Sequence, residues 1–117
     1  MTFTVEVLVK GKEEIVEKKI DFEGPEAIAW TDEDARHVLE LALRTFDEVQ
    51  NPETQERSVS LRGFSWIVTP VSEGVVIAIE IPSGAVVAGP FSADVDPLTA
   101  AIDRVMAKSR QDVDTVH

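Results

Sequence analysis

His37 is the single internal histidine of the chain, and the residues nearest it are the first place to look for chemistry. Glu33 lies four residues before it and Asp34 three before it, so on a helix all three crowd one surface. That set suits a metal or acid–base site in type. One helix supplies too few ligands by itself, however, and no second histidine is placed to help. The spacing equally describes a solvated pair on an acidic helix, and that is the reading adopted.

The other candidates fail on spacing. Asp94 and Asp96 begin like a calcium loop, but a loop counted from Asp94 needs Gly at its sixth position and Glu at its twelfth. Those positions hold Thr99 and Val105. Ser65 follows Gly63 by two, as in a nucleophile elbow, but Ile67 stands where the second glycine belongs. Gly74, Gly84 and Gly89 do not have the spacing of a phosphate-binding loop. The chain has no cysteine, which removes disulfides, thiolate metal sites and cysteine nucleophiles. No catalytic residue, metal site or cofactor is expected.

Charge is more informative. The net charge is −11, and residues 21–56 hold eleven acids against Arg36 and Arg44, a local net of −9. Residues 1–20 and 57–91 each balance to zero, and residues 92–117 carry −2. Such a field disfavours nucleic acid, which is gripped through its phosphates by a basic stripe. Arg62, Phe64 and Trp66 resemble a base-stacking face in composition, but the charge argues against that use and favours core packing. An acidic surface suits a basic protein partner, because complementary charge speeds encounter. Asp32, Glu33, His37, Glu40 and Asp47 are the candidate partner-binding residues. The alternative is a small-molecule pocket between the sheet and the first helix, walled by Trp30, Phe64 and Trp66.

The elements that must position these residues follow from periodicity. Phe3, Val5, Val7 and Val9 share one face, with Thr4, Glu6 and Lys10 on the other beside Leu8, the period of a half-buried strand. After a turn at Gly11, Val16, Ile20 and Phe22 share one face of a second strand. Gly24-Pro25 ends it, and Ile28 and Trp30 sit on a short connector. Thr31 suits a helix N-cap, with Asp32, Glu33 and Asp34 in the first turn where the dipole favours acids. Ala35, Val38, Leu39, Ala42, Phe46 and Val49 make one stripe, predicting a helix over 32–49 that Asn51-Pro52 stops.

Residues 58–69 read as a third strand whose apolar face switches at Gly63, which predicts a bulge there. Val75 to Ile81 reads as a fourth strand and Ala85 to Ala88 as a short fifth. Asp96-Pro97 reads as the cap and first residue of a second helix, with Leu98, Ala101, Ile102, Val105 and Met106 as its buried stripe.

The expectation is an α+β fold, ββαβββα, with an antiparallel sheet of about five strands and two helices packed on one face. Residues 1–110 form a single domain and 111–117 a flexible polar tail. The longest apolar run, Val75 to Ile79, is five residues, so no membrane span is expected. The N-terminus has no basic region followed by an apolar stretch, and the protein reads as cytoplasmic. Val76, Ala78 and the 85–88 strand put apolar groups on the face the helices leave open, which predicts a homodimer through that open sheet face.

Overall fold

A computed structural model of the chain describes residues 1–54 and 59–114. Its elements run in the expected order. The first hairpin is β1 (Thr2–Val9) and β2 (Ile15–Asp21), followed by a single 3-10 turn at Ala27–Ala29 and α1 (Asp32–Gln50). Then come β3 (Ser65–Val71), β4 (Gly74–Ile81), β5 (Gly84–Phe91) and α2 (Val95–Asp114). All five strands form one antiparallel sheet in the order β2-β1-β5-β4-β3. The N-terminal hairpin therefore joins the β3–β4–β5 meander only through the β1–β5 pairing.

Both helices cover one face. The cross-strand row Val7, Val86, Ile79, Trp66 and the row Val5, Ala88, Ile77, Val68 point toward them. Val5, Val7, Val86, Ile77 and Ile79 are buried, and they meet the α1 stripe of Ala35, Val38, Leu39, Ala42 and Phe46. α1 lies against β1, β5 and β2, while α2 lies against β3 and α1. The stripe forms because apolar residues recur at helical spacing. Its start is held by a capping box: Thr31 Oγ1 accepts the Asp34 N–H at 3.2 Å, and Asp34 Oδ2 accepts the Thr31 N–H at 3.0 Å.

Four local readings change. The third strand begins at Ser65 and not at 58, so Gly63 lies outside it and carries no bulge. Gly63 instead turns the chain with φ +76°, which lets both Leu61 and Val68 point into the core although seven residues separate them. The ladder irregularity lies between Val75 and Ile77 on β4, opposite β5. The fifth strand runs three residues past Ala88, through the cis Gly89–Pro90 bond, to Phe91, which is fully buried. Pro90 is tolerated there because the ladder is already irregular beside it.

The second helix starts at Val95, not at Pro97, and the Leu98 N–H donates to the Asp94 carbonyl at 3.3 Å. Pro97 sits inside the first turn, where a helix has no use for the missing N–H. The helix also continues through Asp114, four residues into the segment read as a tail; residues 115–117 lie outside the described residues. No helix among the described residues is long and apolar enough to cross a membrane.

Candidate functional site

The face away from the helices is divided into two halves. One cross-strand row reads Glu17, Glu6, Val87, Ala78, Ile67 from β2 to β3. The next reads Ile15, Leu8, Ala85, Glu80, Ser65. The β2–β1 half therefore carries Glu6, Glu17 and Lys19 beside Ile15 and Leu8. The β5–β4–β3 half carries Ala85, Val87, Val76, Ala78, Ile67 and Val71, with Glu80 as its one charged side chain. Ile67 is 61% exposed and Leu8 41%, high values for large apolar groups. A shallow concavity of about 600 Å³ opens on this face, lined by Leu8, Lys10, Ile67, Ala78, Glu80 and Val87 among others.

The residues singled out for an acidic docking surface are all on α1, and the fold gives them different surroundings. Asp32 is held by Arg104 of α2, whose Nε and Nη2 donate to its carboxylate at 3.0 to 3.2 Å. The Arg104 hydrogen bond, aided by its charge, holds the Asp32 carboxyl below its ordinary range. Asp47 accepts a hydrogen bond from Asn51 Nδ2 at 2.9 Å. The His37 ring meets Phe22 edge-on with centroids 5.5 Å apart. Glu33 is exposed and Glu40 half-buried. His37, Glu40 and Arg44, with Leu41 and Val59, line a hollow of about 280 Å³. This places a cation among the acids, so the outer face of α1 is mixed and not uniformly negative.

The three aromatics assigned to the alternative pocket do not converge. Trp30 packs against Phe91, centroids 4.9 Å apart, and against Phe22 at 6.0 Å, and its Nε1 donates to the Pro25 carbonyl at 2.9 Å. Phe91 pairs with Val75, whereas Trp66 pairs with Ile79, four residues further along β4. Trp30 thus anchors the connector at one end of the sheet and Trp66 stands toward the other. Phe64 is half-buried on the turn before β3. Between the sheet and α1, the space is filled by buried Val, Leu, Ala and Phe side chains.

Among the described residues no three His, Cys, Asp or Glu side chains come together as metal ligands. No protein-family model matches the chain, and no curated protein or solved structure is significantly similar to it.

The sequence places Val76, Ala78 and the 85–88 strand on an apolar open face but does not align them with Ile67. Ile67, Ala78 and Val87 come from three different strands, and only the register puts them in one row. The signal that was available was local: Ser65 to Val71 contains no charged residue at all.

Proposed function

We propose that the chain is a protein-interaction module that works as a homodimer and whose contact surface is the apolar half of the open sheet face. One observation carries the reading: Val87, Ala78 and Ile67 form an apolar row on a sheet face that no element among the described residues covers. Large apolar patches on soluble surfaces mark contact sites. The charge of residues 21–56 is consistent with this arrangement. It lies mainly on α1 and its connector, on the helix side, where it favours solubility and a basic partner's approach without interrupting the apolar half.

Sedimentation equilibrium at micromolar concentration tests self-association, with a dimer expected and a monomer at every concentration counting against it. Affinity capture from the native host tests the surface. Proteins enriched by the wild type are expected to be lost with Ala78→Lys and kept with Glu33→Lys. Capture that ignores Ala78→Lys removes the open face from the proposal.

A further inference from the structure

The two edges of the sheet are built differently. The β2 edge carries Glu17, Lys18, Lys19 and Asp21, all exposed. Charged residues of this kind keep a sheet edge from pairing with another chain. The β3 edge reads Ser-Trp-Ile-Val-Thr-Pro-Val and has no charge, with Ile67, Thr69 and Pro70 exposed. Among the described residues no strand pairs with its outer side.

Pro70 sets which backbone groups face outward. Proline sits in an edge strand with its nitrogen turned from the neighbouring strand. Residues of even number on β3 then point their N–H and C=O groups away from β4. The tight β3–β4 turn agrees, since Val71 pairs with Gly74 across two residues, the geometry that bonds the odd-numbered set to β4. Trp66 and Val68 are left with outward donors and acceptors, and Pro70 with an outward acceptor.

We propose that a second copy of this chain pairs antiparallel along β3, about a two-fold axis at Ile67, so that two sheets become one of ten strands. This rests on the self-association proposed above and assigns its geometry. Trp66 then exchanges both hydrogen bonds with Val68 of the other copy, Ser65 lies opposite Thr69, and Ile67 lies opposite itself.

One observation favours the edge over stacking face on face, and a second favours the β3 edge over the β2 edge. The first is area. Strand spacing of about 4.8 Å and a rise of about 3.3 Å per residue give the three-strand apolar half roughly 330 Å². Stacking two such halves hides all of that apolar surface, about 660 Å² in total, and leaves none to receive a partner. Stacking whole faces brings Glu6 and Glu17 of both copies into contact with the apolar rows. Edge pairing buries neither and merges the two apolar halves into one band of about 660 Å², a size that approaches one side of a standard interface. The contact surface is then complete only in the dimer.

The second observation is charge. Each copy carries −11, yet residues 57–91, which hold β3, β4 and β5, balance to zero. The acidic helix α1 lies against β1, β2 and β5. Pairing through β3 keeps the two acidic flanks at least about 20 Å apart, beyond the ~8–10 Å over which salt screens charge.

The absence of cysteine makes the test direct. In the paired edge Ile67 faces its own copy at a non-hydrogen-bonded position, where Cα atoms lie about 4.5 Å apart, within disulfide reach. Ile67→Cys is expected to form a disulfide-linked dimer on mild oxidation at micromolar concentration. Ala85→Cys, on β5 of the open face, is expected to stay a dimer without cross-linking. Because Ile67 is exposed, Ile67→Glu is expected to leave the monomer's circular dichroism unchanged while raising the dimer dissociation constant at least tenfold. Cross-linking at Ala85 but not Ile67, at both, or at neither overturns the edge geometry, as does an Ile67→Glu variant that dimerises like the wild type. A wild type that is monomeric throughout overturns the self-association itself.

Discussion

Gly84 and Gly63 both hold positive φ, but their surroundings differ, and the pair of alanine variants separates backbone strain from steric overlap. Gly84 has φ +156°, a region open essentially to glycine alone, and it pairs with Val9 of β1 and Ile81 of β4. A Cβ added there would overlap the Leu8 carbonyl oxygen and crowd the Phe46 ring. Gly63 has φ +76° and nothing within 4 Å of the same position. Gly63→Ala should therefore cost only the left-handed strain, about 1–2 kcal/mol.

Gly84→Ala adds the displacement of β1 from β5. Strain of about 1–3 kcal/mol and the weakening of two ladder hydrogen bonds at about 1 kcal/mol each give roughly 3–5 kcal/mol. At roughly 3–5 °C per kcal/mol for a domain of this size, Tm should fall by about 9–25 °C, against about 3–10 °C for Gly63→Ala. Thermal denaturation followed by circular dichroism measures both. Hydrogen exchange should show faster exchange at Leu8 and Val9 in Gly84→Ala only. Equal destabilisation in the two variants would refute the close approach of β5 to β1, and with it the junction that joins the two halves of the sheet.

Two further outcomes are expected. Asp32 has its carboxyl pKa lowered in the fold, chiefly by the Arg104 hydrogen bond, so its stabilising effect is present above the ordinary aspartate value of 3.8 and is lost as pH falls through the lower folded value. Both side chains are about half exposed, so the effect is small; Asp32→Asn should flatten the acid limb of Tm against pH slightly at low salt and not at high salt, and parallel curves would show that the pair does not bind α1 to α2 in solution. If the outer face of α1 also receives a basic partner, Glu40→Lys should slow association with that partner several-fold at low salt without changing Tm, and rates that ignore both the substitution and added salt would remove α1 from the contact.

The α+β class, the order ββαβββα and the α1 stripe were legible in the sequence because each depends on neighbours a few residues apart. Alternation of Phe3, Val5, Val7 and Val9, the 3.6-residue recurrence from Ala35 to Phe46 and the Thr31 cap are local patterns, and the fold keeps each of them. Element ends were less legible. The sequence ends the fifth strand before Gly89-Pro90 and runs the third strand through Gly63, yet a strand passes through the first and none reaches the second. What joins β1 to β5, some eighty residues away, is written in no local pattern. Many pairings of apolar strands satisfy the same alternation, and the one adopted is the one that lets two helices of these lengths cover Val5, Val86, Ile77 and Val68 together. The candidate surface depends entirely on that choice. The neutral charge of residues 57–91 and the uncharged run at β3 are properties of the chain, but β3 becomes an open edge, and Ile67 the neighbour of Ala78 and Val87, only once the strand order is set.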